Sequence, residues 1–134
     1  MSKLSAFLHP VTEGIEKEIV ISKRFVDEKG NPVPFKIRAV TQEENDAIIK
    51  KATRRVKENG QTVERLDNTD FSRRMVVAAT VEPDFSAKEM CDRYGVLDPL
   101  LVPGKMLLSG EYGRLLREIT SLSGFDGIED EVKN

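Results

Sequence analysis

The sequence predicts an α+β fold in which an N-terminal β-hairpin is followed by a mainly α-helical domain. Two runs typical of strands lie between residues 17 and 40, and from residue 41 onward the apolar residues recur at helical spacing. A chain of 134 residues without a proline-rich or glycine/serine-rich linker also suits one hydrophobic core. We therefore expect a single domain over 1–134, with an N-terminal arm (1–16), a hairpin (17–40), a helical part (41–125) and an acidic tail (126–134).

The first 40 residues predict an irregular arm and then two strands. Residues 1–16 show no sustained apolar period, which favours an arm over a regular element. Residues 18–25 are rich in Ile, Val and Phe, and residues 33–39 alternate apolar and polar side chains, as is typical of strands. Between them, Asp27-Glu28-Lys29-Gly30 suits a tight turn. Pro34 predicts that the second strand has a free edge.

A helix is predicted over residues 41–59. Thr41 and Glu44 form a capping-box pattern at its start, and Asn59-Gly60 predicts its end, although Asn-Gly is also a β-hairpin signal. For the following residues, 61–67, a loop and a short strand both remain open, and we favour the loop. The apolar residues of this helix share one face: Ile48, Ile49, Ala52 and Val56.

Two helices are predicted between residues 68 and 95. The first follows Asp67-Asn68 and stops at Glu82-Pro83, although its last residues taken alone also suit a buried strand. The second opens at a capping box of Ser86 and Glu89 and closes at Gly95. Inward-facing residues of this second helix include Cys91, a residue type that is most often part of a core.

The remaining residues predict short helical turns and one longer helix. Pro99 and Pro103 favour one or two turns over residues 98–109. Ser109 is predicted to cap the last helix, and Gly124-Phe125 has the form of its stop. The apolar stripe of this helix comprises Tyr112, Leu115, Leu116, Ile119 and Leu122.

The composition excludes several classes of function. A total of 21 Lys and Arg against 23 Asp and Glu leaves a net charge of −2, which argues against a protein that coats nucleic acid or an anionic membrane. No stretch approaches the roughly 18 consecutive apolar residues of a membrane span, and no signal peptide is evident. The single cysteine, Cys91, cannot form an internal disulfide, which predicts a cytoplasmic protein. The single histidine, His9, lies in the arm, which disfavours hydrolases with a Ser-His or Cys-His site.

No residue pattern predicts a catalytic, cofactor or metal site. Gly104-Lys105 lacks the upstream glycine and the following hydroxyl of a phosphate-binding loop. Glu43, Glu44 and Asp46 could ligate a hard cation, but their place in the first turn of a helix explains them as capping residues. We therefore expect a binding protein without cofactors rather than an enzyme.

Two sets of residues are candidates for binding a partner. Leu4, Phe7 and Leu8 in the arm, together with Phe125 and Ile128 near the C-terminus, are apolar residues on segments that another chain could reach, including a second copy. The alternative is that they fold back and complete their own core. The second set is a basic run that could contact DNA in a small regulatory domain, although no aromatic residue lies within it. It comprises Lys50, Lys51, Arg54, Arg55 and Lys57.

Six segments, taken in order, carry a family resemblance. They are 4–8, 22–33, 77–83, 94–96, 103–112 and 122–125, beginning with Leu4-Ser5-Ala6-Phe7-Leu8. Together they resemble the XkdN-like phage tail assembly chaperones of PBSX-type prophage elements. The resemblance implies a non-enzymatic assembly factor that binds the tape measure protein, keeps it soluble and helps to gather tail tube subunits around it. It also implies a place in the host cytoplasm and absence from the finished virion, and it transfers no partner-binding residue.

Overall fold

The computed structural model describes residues 3–11 and 15–125, so the acidic tail (126–134) and Ile128 lie outside the described residues. It confirms the α+β fold class, with strands in two small sheets among several helices. The helices are Lys3–Leu8 (α1), Gln42–Ala52 (α2), Asn68–Ala79 (α3), Lys88–Tyr94 (α4), Val102–Met106 (α5) and Ser109–Leu122 (α6), and a 3-10 turn covers Pro99–Leu101. The strands are Glu16–Ile19 (β1), Phe35–Arg38 (β2), Thr53–Glu58 (β3), Gln61–Leu66 (β4) and Thr80–Glu82 (β5).

The N-terminal hairpin is confirmed, but its strands are shorter than predicted. β1 pairs antiparallel with β2, and Ile19 lies opposite Phe35. Residues 20–34 form a long connection, in which the predicted tight turn is present: the Gly30 amide donates to the Asp27 carbonyl at 3.0 Å, and Gly30 has a φ of +83°. The turn is therefore a local feature of the connection, and the pairing of β1 with β2 starts beyond both ends of this connection, at Ile19 and Phe35.

The prediction of a free edge on the second strand is wrong. β2 is the central strand of the three-stranded sheet, in the order β1-β2-β5. Pro34 immediately precedes β2, so its missing amide removes no hydrogen bond from the ladder. On β2 the side chains of Phe35 and Ile37 are buried, and through this face the sheet packs against the helices.

The predicted 41–59 helix begins as expected but ends at Ala52. The capping box is confirmed, since the Glu44 amide donates to the Thr41 hydroxyl and the Thr41 amide donates to the Glu44 carboxylate, both at 3.2 Å. The predicted continuation to residue 59 is wrong, because residues 53–58 form β3. The predicted helix was too long because its apolar residues keep helical spacing as far as Val56, beyond the end of α2.

Residues 53–66 form a two-stranded antiparallel hairpin, which we call the ribbon. The favoured loop over 61–67 is therefore wrong, since β4 occupies most of that range. Asn59 and Gly60 close the ribbon with φ values of +52° and +78°. Positive φ at both central residues is the requirement of the type I′ turn that Asn-Gly favours. Apolar pairing supports it, since Val56 lies opposite Val63.

The C-terminal half is largely helical, as predicted, with differences at its boundaries. α3 ends at Ala79 rather than at Glu82-Pro83, because Thr80–Glu82 join the sheet beside β2. The predicted capping box at Ser86 is wrong, since α4 begins after Ala87 with no side-chain cap. Gly95 closes α4 with a φ of +68°, as expected.

The short turns and the last helix agree more closely with the sequence. The 3-10 turn and α5 cover the predicted turns of residues 98–109. Ser109 is the first residue of α6 rather than its cap, and the Glu111 carboxylate instead accepts the Leu108 amide at 2.8 Å. Gly124, with a φ of +98°, follows the helix at the predicted stop.

The core lies where the sheet meets α3 and α6. Ile37, Met75 and Leu115 represent these three elements, and each is at most 2% exposed. The ring of Phe85 packs edge-on against that of Phe35, with 6.4 Å between centroids. Cys91 belongs to this core, which confirms its predicted role as a small apolar residue.

Candidate partner-binding surfaces

The prediction of an irregular arm is wrong for residues 3–8, which form a short helix, α1, with an exposed apolar face. Leu4, Phe7 and Leu8 stand at positions i, i+3 and i+4, which places them on one side of the helix. They are 63%, 81% and 64% exposed, and α1 contains no buried residue. These three residues therefore do not complete the core of their own chain. We call them the α1 face.

Phe125, the fourth predicted residue, lies beside the N-terminus of α2. It is 43% exposed and helps to line a cavity of about 250 Å³ together with Thr41, Gln42 and Asn45. The chain is held there by the Ser123 hydroxyl, which accepts the Val40 amide at 3.0 Å. Phe125 thus offers an apolar surface of its own, separate from the set on α1.

The prediction of a basic patch on one helix is wrong. Lys50 and Lys51 end α2, whereas Arg54, Arg55 and Lys57 belong to β3, where successive side chains point to opposite faces. The Arg54 guanidinium also binds the Asp70 carboxylate at 2.9 Å. The basic side chains are therefore divided among different surfaces, and one of them is engaged within the chain.

Two of the acidic residues considered for metal binding, Glu44 and Asp46, have partners within the chain. The Arg38 guanidinium binds Glu44 at 2.6 Å and, with the Thr41 cap, lowers the pKa of Glu44 to about 2. Asp46 accepts a hydrogen bond from the Gln42 side chain at 2.8 Å. Among residues 3–11 and 15–125, no group of three or more His, Cys, Asp and Glu side chains is placed to hold a metal ion.

Three other residues that bear on catalysis or phosphate binding, His9, Gly104 and Lys105, have ordinary surroundings. Nδ1 of His9 lies 3.1 Å from the carbonyl oxygen of Ser5, one turn earlier in the chain. Gly104-Lys105 lies inside α5, within the residues for which the sequence predicted short helical turns.

An apolar pocket that the sequence did not predict lies beside the connection and the end of β5. Its volume is about 190 Å³, and we call it the sheet-end pocket. Because its residues come from distant parts of the chain, no local pattern marks it. It is lined by Phe25, Val33, Pro34, Phe35, Glu82, Pro83 and Met106.

An ion pair fixes the connection that forms one wall of this pocket. The Arg24 guanidinium binds both carboxylate oxygens of Glu111 on α6, at 2.5 and 3.1 Å, and also donates to the Met106 carbonyl at 3.2 Å. This pairing with Arg24 is the main cause that lowers the pKa of Glu111 to about 2. The contact ties Phe25, the neighbour of Arg24, and Met106 to the same end of α6.

A larger open groove of about 580 Å³ lies among α3, α5 and α6. Its lining combines Ser72 and Arg73 with Leu107 and Tyr112. Partial burial raises the pKa of the Tyr112 hydroxyl, which keeps that group neutral. The groove is therefore a surface of mixed polarity with one permanently charged residue, Arg73, rather than a strongly apolar surface.

Comparison with known proteins identifies the family. A model of the phage XkdN-like tail assembly chaperone proteins matches residues 4–134. Two proteins of Bacillus subtilis (strain 168) are similar over 98% of this chain and 93% of their own length: the uncharacterized protein YqbN, 40% identical, and the phage-like element PBSX protein XkdN, 37% identical. The crystal structure of YqbN matches with a TM-score of 0.75 and 35% identity, covering 92% of this chain and 98% of that one.

The family model covers all six segments in which the sequence resembles this family. Within the part of the chain that the structure describes, no helix is long and apolar enough to cross a membrane. The family model extends over nearly the whole chain, and both relatives share more than a third of its residues. The chain therefore belongs to the XkdN-like family of phage tail assembly chaperones.

Proposed function

We propose that this chaperone binds a tape measure protein, keeps it soluble and assists tail tube assembly in the host cytoplasm, without catalysing a reaction. The α1 face is the observation that supports the proposal most directly. Leu4, Phe7 and Leu8 expose a contiguous apolar strip on a helix outside the core. A long helical client that must not aggregate offers apolar strips that such a face can cover.

The size of this face suits reversible binding. Fully burying one Leu or Phe side chain contributes roughly 1.5–3 kcal/mol, and association with a client costs several kcal/mol in lost freedom. Three such side chains therefore give weak binding at one site, which becomes strong only when several copies act along one client. Phe125, which is also partly exposed, supplies a second apolar contact.

Coexpression with the tape measure protein of the same phage or prophage tests the proposal. We expect the chaperone to raise the soluble fraction of the tape measure protein and to co-purify with it. The double variant Phe7→Ser/Leu8→Ser should lose both effects while its melting temperature changes little, since both residues are exposed.

The matched control is Leu97→Ser, because Leu97 is fully exposed but lies outside α1. This variant should behave as the unsubstituted chain. If the tape measure protein is equally soluble alone and never co-purifies, the proposed function is wrong. If the double variant captures it normally, the tape measure protein does not bind through the α1 face.

A further inference from the structure

None of the described residues buries the α1 face, and the sheet-end pocket is an apolar site of a size that suits one of its side chains. We propose that α1 of one copy inserts Phe7 into the sheet-end pocket of a second copy, and that the exchange is reciprocal, forming a dimer. The proposal concerns the chaperone without a client and does not depend on the proposed function.

The pocket has room for one aromatic ring. Its volume is about 190 Å³, and an apolar protein cavity of about 150 Å³ is large enough to bind benzene. Phe7 is the most exposed phenylalanine that the structure describes, at 81%. Transfer of this ring from water into an apolar pocket is favourable without any further polar contact.

Charge also matches between the two surfaces. Among the described residues that line the pocket, Glu82 is the only charged one, and the nearby Arg24 guanidinium is already paired with Glu111. Lys3 precedes Phe7 by four residues, so it lies one turn away on the same side of α1, and Lys3–Leu8 contains no acidic residue. When Phe7 enters the pocket of a second copy, Lys3 can approach the partner's Glu82. This pairing favours the α1 of another copy over an acidic peptide as the occupant.

Reciprocal exchange makes a small contact sufficient. Stable interfaces bury at least about 1,200 Å² in total, so each of two symmetric contacts needs to bury only about 600 Å². The α1 face and Val11, which is 79% exposed, supply exposed apolar surface for such a contact. A single contact without its symmetric counterpart would fall below this range.

Sedimentation of the purified full-length chain over a range of micromolar concentrations is the first test. We expect a reversible monomer–dimer equilibrium. Phe7→Ser and Val33→Glu should each raise the dissociation constant of the dimer at least tenfold. The first removes the ring, and the second places a carboxylate in the pocket. Both side chains are exposed enough that melting temperatures should stay close to that of the parent.

Matched controls separate the pocket from general surface effects. Val26→Glu adds the same charge in the same connection, at a half-exposed valine outside the pocket lining, and Leu97→Ser removes an exposed apolar residue elsewhere. Both variants should dimerise like the parent. Loss of the dimer in Val26→Glu would overturn the assignment to the pocket.

Mixing two defective chains tests the direction of the contact. The Phe7→Ser chain keeps an intact pocket, and the Val33→Glu chain keeps an intact α1, so a mixture should form a heterodimer that neither chain forms alone. A parent chain that stays monomeric at every concentration would overturn the proposal, as would a Val33→Glu chain that dimerises normally through α1 against α1. Failure of these tests would leave capture of the tape measure protein unaffected, so the two proposals can be judged separately.

Discussion

The central sheet and the ribbon are both antiparallel, yet they are stabilised in different ways. On β2 every second side chain is buried, so the strand is held by its packing against the helices. On β3 and β4 no residue is buried, and the ribbon depends on its Asn59-Gly60 turn and on cross-strand pairs such as Arg65 with Glu58. We therefore expect the free energy of unfolding to come mainly from the core, whereas the ribbon and α1 are exposed elements that can open or engage partners at small cost.

The same substitution in the two regions should give the largest contrast. Leu115 on α6 is fully buried, whereas Leu66 on β4 is 41% exposed. We expect Leu115→Ala to lower the free energy of unfolding by about 2–5 kcal/mol, because it removes buried apolar contacts and leaves a cavity. Leu66→Ala should cost less than about 1 kcal/mol. Urea unfolding measures both, and equal losses would show that the ribbon belongs to the cooperative core.

A smaller effect is expected at the ion pair that joins β2 to α2. Replacing Arg38 by Gln removes the partner of Glu44 but leaves the Thr41 cap, and should cost about 0.5–1 kcal/mol at neutral pH.

The pH dependence of this ion pair has a defined sign. In the folded chain the pKa of Glu44 falls to about 2 from its ordinary value of 4.5, so its stabilisation is complete above pH 4.5 and is lost as the pH falls toward 2. The difference in unfolding free energy between the parent and Arg38→Gln should therefore shrink on acidification. A difference that grows as the pH falls would contradict this assignment.

The turn of the ribbon should respond locally to substitution. Gly60 has a φ of +78°, a conformation that a side chain disfavours, so Gly60→Ala should cost about 1 kcal/mol within the ribbon. Amide exchange of β3 and β4 should accelerate while that of β2 stays unchanged. The control is Gly110→Ala in the first turn of α6, where nothing lies within 4 Å of the added carbon and φ is not positive. That change should stabilise the chain by about 0.5 kcal/mol.

The smallest effect is expected at the cross-strand ion pair of the ribbon. Arg65 and Glu58 meet at 2.6 Å, but both side chains are largely exposed. Glu58→Gln should change the free energy of unfolding by less than about 0.5 kcal/mol, and added salt should reduce the effect further. A loss above 1 kcal/mol would mean that the ribbon is coupled to the core more strongly than its exposure indicates.

The local sequence was sufficient to locate most of the elements, because their signals lie within a few residues. The Thr41-Glu44 capping box, the stop at Gly95 and the apolar stripe of α6 were predicted from neighbours in sequence, and each is present. The error over residues 53–66 arose where two local signals competed. Helical spacing favoured continuing α2, whereas the Asn59-Gly60 turn favoured a hairpin, and the turn prevailed once the second strand could pair.

Contacts between residues that are distant in sequence determine the remaining features of the fold. The central place of β2 depends on β5, which lies more than 40 residues further along the chain. The residues before Pro83 suited a strand as an alternative to a helix, but no local signal showed that they would pair with β2. Likewise, the sequence marked Phe7 as apolar and available, but only the folded chain shows that the α1 face stays exposed. The sheet-end pocket assembles Phe25, Glu82 and Met106 from three separate segments. Local propensity acts between near neighbours, whereas strand order, exposure and pockets follow from the packing of the whole chain, which is why only the tertiary structure could decide them.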